Sequence, residues 1–506
     1  MMFQESKTEL FRLIEMLDAN QKRLYCQKFD NEKEEEKTLE QKLFDIIESS
    51  GNFDEEDIKK QLKIKSPSQY STVKRKLFEN ILSTVVQCKN EKNKCVTIEK
   101  LIFLINNQLF KTATSYIKIL KQDSLSEQNF FYYHSVLKQE YRLLLFSNDK
   151  KNKEKLIQQE ILIDKSLEDY NTFEKLSKIF RKLLLLKGES NNRIEGDEFK
   201  GLNEIAASLK EIEKEKTQQP VLKIQYETNL AIVAYLGSEE IDINLVHSII
   251  ESWRKYEHLA YIFPLLFLES ASIVFYIDFR QNNTISAVRH FQFFEKISDT
   301  LCVEDKQRWN LIAFNTQIKI YHKTAAYDKL EHYLKSNKNT LAQSMNYFTI
   351  NEVMTFYTTE CISYFVLKDF ARADELMYQL KELNQSKLRL DIYYFSLIFH
   401  LLIMYELKDW YRLYINIDAA YQQLHKNKTR RPFEKELMLF LKKFSIQNNP
   451  ATYPKVVLDF LEKMEAYTHD AVKKQYFLYF NYYFWLQSKT ERSSYMDFMK
   501  KKIQGS

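Results

Sequence analysis

Phe365-Val-Leu-Lys-Asp-Phe370 and Tyr405-Glu-Leu-Lys-Asp-Trp410 lie 40 residues apart and carry one signature: an aromatic residue, a short Leu-Lys-Asp break, and an aromatic restart. Extending that register places related restart points at Phe110, Ile285, Tyr327, Phe370, Trp410 and Tyr453, the last five spaced by 42, 43, 40 and 43 residues. Three residues beyond each point stands Ala113, Val288, Leu330, Ala373, Leu413 or Val456. Seven beyond stand Ile117, Leu334, Met377, Ile417 and Phe460, while the Ile285 unit has Gln292 there and shifts to Phe291. Positions i, i+3 and i+7 share one helical face, so every unit presents the same apolar stripe. One helix pair cannot bury such a stripe alone, whereas stacked pairs can. Weaker matches near Lys155, Leu202 and Ile243 extend the period to about nine units.

Composition points the same way. Six glycines and six prolines make up about 2% of the 506 residues, against an average of roughly 12% for the two together. Sheets need Gly- or Pro-bearing turns every few residues, and helices need far fewer. The expected fold class is therefore all-α.

Leu367-Lys-Asp-Phe370-Ala-Arg-Ala373 and Gln108-Leu-Phe110-Lys-Thr-Ala113 resemble the helix-to-helix corner of tetratricopeptide-like repeats, where an aromatic residue three before a small one packs the turn. The resemblance covers roughly residues 97 to 490. The sequence departs from the family's pattern in its longer period, 40 to 43 against about 34, and in lacking a regular small residue midway along the first helix. Longer helices, in a tetratricopeptide-like or other α-solenoid, are what those departures suggest. The resemblance implies a right-handed α-solenoid of antiparallel helix pairs with a concave, protein-binding face, and it carries over no catalytic residue.

The first 95 residues read differently. Ser6-Lys7-Thr8-Glu9 has capping-box spacing ahead of Leu10, Leu13, Ile14 and Leu17 on one helical face, and a charged run follows at Asn31 to Lys37. Three further helices are predicted at 39–50, 54–64 and 68–86. The expected organisation is a helical head over 1–95, the repeat array over 96–490 and a polar tail over 491–506. The polar stretch from Lys187 to Gly201 holds three of the six glycines and reads as a loop or hinge.

Charge and cysteine usage narrow the function classes. The formal charge of +6, from 75 basic and 69 acidic side chains, is a near balance that argues against coating a polyanion wholesale. Cys26, Cys88, Cys95, Cys302 and Cys361 are scattered without a C-x-x-C pair and read as reduced thiols of a cytoplasmic protein. The N-terminus carries Glu5, Glu9 and Glu15 where an export signal needs an apolar run. Tyr261 to Ile277 is apolar but interrupted by Pro264 and Glu269, so it reads as a buried repeat helix and no membrane insertion is expected.

No motif for chemistry emerges. There is no H-E-x-x-H, no phosphate-binding glycine loop and no G-x-S-x-G, and His400 lies in the apolar run Tyr393 to Tyr405, where a hydrogen-bonded core histidine is the expectation. The chain is expected to be no enzyme, to use no cofactor and to bind no metal. Instead it should bind another protein or a peptide.

Two surfaces are candidates for that contact. Tyr476-Phe-Leu-Tyr-Phe-Asn-Tyr-Tyr-Phe-Trp485 is apolar around its whole helix, so Tyr476, Tyr479, Tyr483 and Trp485 are expected to meet a partner or, alternatively, a second copy of the chain; enclosure by the polar tail from Lys489 is the other way to bury them. Lys428, Arg430 and Arg431 form a basic patch between helices, readable either as a solvated turn or as an acidic-partner site. The alternative function places nucleic acid on the head, with Lys74, Arg75 and Lys76 on a recognition helix, although the preceding helix carries Asp54, Glu55, Glu56 and Asp57.

Overall fold

The computed structural model describes residues 38–50, 55–62, 64, 66–89, 94–107, 109–146, 152–189, 197–212, 217–237, 242–345, 348–384, 389–426, 432–447, 453–468 and 479–504, with 10, 14, 17, 22, 23, 25 and 26. Among them the chain is all-α, with 23 helices that pack mostly on their neighbours in sequence. It divides into two compact units, Met1–Lys121 with Ser135–Glu160, and Gln122–His134 with Ile161–Ser506.

In the first unit, helices Leu39–Ser50, Glu55–Gln61 and Pro67–Lys89 form where three head helices are expected. Thr38 and Gln41 cap the first of them reciprocally. Leu43, Phe44, Ile47, Ile58, Tyr70, Val73, Leu77 and Ile81 bury one face each into a shared core with Leu10, Ile14, Leu17 and Tyr25. The capping-box residues and the charged run 31–37 lie outside the described residues.

The second unit shows how so few glycines suffice. Helices start at Thr284, Tyr327, Phe370 and Trp410, each directly after one corner design. Asn282, Ala325, Lys368 and Lys408 adopt φ of 55°, 51°, 67° and 57°, the left-handed conformation usually left to glycine. The next residue's N–H returns five positions, Asp369 to the Tyr364 carbonyl and Asp409 to that of Met404, closing the outgoing helix. The side chains of Asn283, Asp369 and Asp409 then accept the N–H of Ser286, Arg372 and Arg412 and open the incoming helix. Across each corner of the deciding signature the two aromatics meet edge-on, Phe365 with Phe370 at 5.3 Å and Tyr405 with Trp410 at 5.7 Å.

That frame corrects one register. The helix expected from Ile285 starts at Thr284, and Ile285 itself is exposed. Counted from Thr284, the third residue on is fully buried Ala287, matching Ala113 and Ala373, and the seventh is Phe291. The apparent exception at Gln292 disappears because the Asn283 cap sets the frame. A second correction concerns 152–189, one 38-residue helix where the repeat period required a break, since no corner residue interrupts it. The stretch expected as a loop is also shorter, because Lys187 and Gly201 are both helical.

Successive helices pack pairwise, and every first-of-pair helix packs also on the next: Pro220–Leu236 on Pro264–Arg280, then Val303–Lys323, Ile350–Val366, Leu390–Glu406 and Pro432–Gln447. Pro264 opens its helix at the first position, and Phe263 before it is held out of helical conformation. Leu266, Phe267, Leu268, Ala271, Val274 and Phe275 of that helix are buried in the core. Among the described residues no helix is long and apolar enough to cross a membrane. Residues 479–504 pack back on earlier helices of the unit: Phe480 rests on Phe365 and Phe399, Trp485 donates to Glu406 across 2.7 Å, and Asp497 pairs with Lys368 at 3.0 Å. The expected polar tail is thus in part a helix, Tyr495–Gln504, with Phe498 buried.

Candidate functional site

The first-of-pair helices of the second unit leave one face uncovered by their neighbours. On Val303–Lys323 that face carries Arg308, Ile312, Asn315, Lys319 and Lys323, spaced by three and four residues. On Pro264–Arg280 it carries Glu269, Ser272 and Tyr276, and on Ile350–Val366 Thr355, Thr359 and Ile362. These faces are the polar, partly exposed sides of helices packed one on the next. Tyr235 meets Tyr276 edge-on at 4.3 Å, and its phenol pKa is pushed up by burial and then by Tyr276, with the charges of Arg389 and Asp391 also felt there. The charge of Arg389, at the start of Leu390–Glu406, is thus felt at Tyr235 on Pro220–Leu236.

Charge along these faces is unevenly matched. Glu269 pairs with Lys187, and Arg389 clamps Asp391 through two nitrogens at 2.9 and 2.7 Å. Lys319 is exposed as a residue, though surrounding protein lowers its pKa, and its ammonium lies over the Phe279 ring at 5.8 Å. Lys323 reaches the Asn282 side-chain oxygen at 2.7 Å. Among the described residues neither lysine has a carboxylate within ion-pairing distance, and the Asn315 Oδ1 is buried without a hydrogen-bond partner. On the other side of the same helix, Val288, Phe291, Gln317, Tyr321, Thr324 and Lys329 line a cavity of about 460 Å³.

A buried polar relay lies elsewhere in this unit. His400 is 1% exposed, donates from Nε2 to Asp374 at 2.8 Å and accepts at Nδ1 from the Lys381 ammonium at 2.5 Å. Arg412 grips both Asp374 oxygens at 3.0 to 3.1 Å, and the Tyr378 ring stands edge-on to the imidazole at 5.0 Å. Burial is the main reason the His400 and Lys381 pKa values fall, that of Lys381 to about 8. The Asp374 carboxyl is buried too, but the hydrogen bonds from His400 and Arg412 outweigh that and lower its pKa. His400 is thus hydrogen-bonded within the core, as the sequence suggested, but the basic partner on the neighbouring helix carried no sequence signal.

The expected contact residues fall in different places. Trp485 is fully buried against Tyr405 and Glu406, and Tyr479 holds Asp391 and Arg389, so both are engaged by the chain itself. Tyr483 is half-buried; Tyr476, Lys428, Arg430 and Arg431 lie outside the described residues. In the first unit Lys74 pairs with Glu55 at 2.5 Å, Lys76 lies 4.0 Å from Glu40, and Arg75 is exposed. The acidic helix thus supplies the partner of Lys74, and helix Leu39–Ser50 supplies that of Lys76. Cys26, Cys302 and Cys361 are free thiols, and among the described residues no three His, Cys, Asp or Glu side chains are placed to hold a metal ion. Comparison of the chain with protein-family models, with curated proteins and with solved structures found no match to any of them.

Proposed function

We propose that the protein is a non-catalytic interaction scaffold: a right-handed α-solenoid whose inner face grips an extended or helical segment of a partner protein. The observation that supports this reading is the shared face of the first-of-pair helices, where, among the described residues, Lys319 has no carboxylate within ion-pairing distance and the buried Asn315 Oδ1 has no hydrogen-bond partner. Tyrosines at the rim give affinity through large, stiff contact area, and the unmatched lysines give register. Recognition by nucleic acid at the head has less support, because Glu55 and Glu40 stand beside Lys74 and Lys76. Self-association through the C-terminal aromatic helix has less support too, since Trp485 is spent inside the fold.

Affinity capture of the tagged full chain from its native lysate, with and without nuclease, tests the scaffold. A stoichiometric, nuclease-insensitive protein should co-elute with wild type and with Tyr411→Glu, a change at an exposed site 77% accessible, and should be lost with Lys319→Glu/Lys323→Glu. A partner retained by the lysine variant, or recovery of nucleic acid alone, refutes it.

A further inference from the structure

The Lys381–His400–Asp374 relay is not used by the proposed scaffold, and its geometry is that of an activated amine. Asp374 accepts from His400 Nε2, which fixes the tautomer with a lone pair on Nδ1, and that lone pair faces the Lys381 ammonium at 2.5 Å. Arg412 holds Asp374 in place through both its oxygens, and the N-cap of its own helix, Asp409, holds Arg412 at 3.1 Å. Only one of the charged groups facing Lys381, Asp374, opposes proton loss; Arg412 promotes it. Lys381 is half-buried as a residue, while the side chains of His400 and Asp374 are 2% and 14% exposed.

We propose that Lys381 is a self-activated acylation site, modified by acyl donors of the acyl-phosphate class with His400 as the base that frees its amine. The ammonium passes one proton to His400 Nδ1, and Asp374 stabilises the imidazolium that forms. The neutral nitrogen attacks the acyl carbon, an N–C bond forms, and the C–O bond to phosphorus breaks with its electron pair leaving on phosphate. One proton departs with that phosphate and the other passes from His400 to water, so the product is an amide and inorganic phosphate. Acylation abolishes the cation that His400 Nδ1 faces and so cuts the tie between helices Phe370–Leu383 and Leu390–Glu406.

Acetyl phosphate is the probe, applied to the full wild-type chain, with site occupancy followed by peptide mass spectrometry over time. Lys381 should acetylate roughly tenfold faster than exposed Lys111 and Lys118, with a rate that rises through about pH 8 where theirs still climbs above it. His400→Gln should slow Lys381 acetylation to about the rate of Lys111 and Lys118 while its profile still rises through about pH 8, because the burial and the Arg412 charge that lower the lysine remain, with the melting curve kept as a check on folding. Acetylation of Lys381 no faster than Lys111 and Lys118 in the wild-type protein overturns the proposal without recourse to any variant. An undiminished Lys381 rate in folded His400→Gln removes His400 as the base and overturns it equally.

Discussion

The Tyr479 hydroxyl donates to the Asp391 carboxylate across 88 residues of sequence, and the Arg389 guanidinium reaches both. This is a hydrogen bond to a charge, buried and far from the chain neighbours of either residue. It ties the C-terminal segment to the start of helix Leu390–Glu406. Tyr479→Phe removes the donor and leaves the Arg389–Asp391 clamp, so it should cost about 1.5–3 kcal/mol in urea unfolding. A loss below about 0.5 kcal/mol would mean the segment is held by Phe480 and Trp485 alone.

Left-handed corners give a second test. Lys408 at φ 57° bears the steric cost of a β-carbon in that conformation, and glycine would not. Lys408→Gly should therefore raise stability by about 1 kcal/mol, read as a higher denaturant midpoint. Lys368→Gly should gain less, because Lys368 also pairs with Asp497. Equal gains at both corners would show that the surface pair contributes nothing.

The corners also explain how much was legible beforehand. Phe365, Phe370, Tyr405 and Trp410 announced the helix pairs because their rings meet across each turn, and such local geometry is written in adjacent residues. Asn283 was overlooked as a cap, which shifted one frame by a residue. The shared face around Lys319 and the Lys381 relay are not legible in the sequence. Lys319, Lys381 and Asp374 look like any solvated charges in sequence, and only packing of separate helices removes water from them. Trp485 shows the same limit from the apolar side, since an unpartnered aromatic helix and one docked on its own chain have the same composition.

Acid should weaken the second unit through His322. This ring meets the Ser363 hydroxyl at 3.1 Å, and burial lowers its pKa from 6.5 to about 4. A histidine kept neutral by the fold stabilises fully above its unfolded pKa. Between pH 6.5 and about 4 the unfolded chain binds the proton first, so stability falls with falling pH by up to about 3 kcal/mol, discounted for water at the half-exposed ring. His400, whose pKa is also lowered, adds to the same slope. His322→Gln should flatten the drop in urea midpoint between pH 7 and pH 5 without abolishing it; an unchanged drop would exclude His322 as a source.

Removing one whole period, residues 370–409, separates two kinds of cohesion. The junction would join Asp369 to Trp410, and Asp369 would stand where Asp409 stands now, so the corner and its cap survive. If units depend only on neighbours, a shorter helical protein results. The deletion also removes Asp391, Phe399 and Glu406, to which Tyr479, Phe480 and Trp485 attach from beyond the intervening helices. Helices from Pro220 to Val366 should therefore keep their hydrogen-exchange protection, while 479–504 becomes open to exchange and to protease. Loss of protection throughout the second unit would instead make that long-range attachment the condition of the whole array's folding, and the helices a single cooperative body.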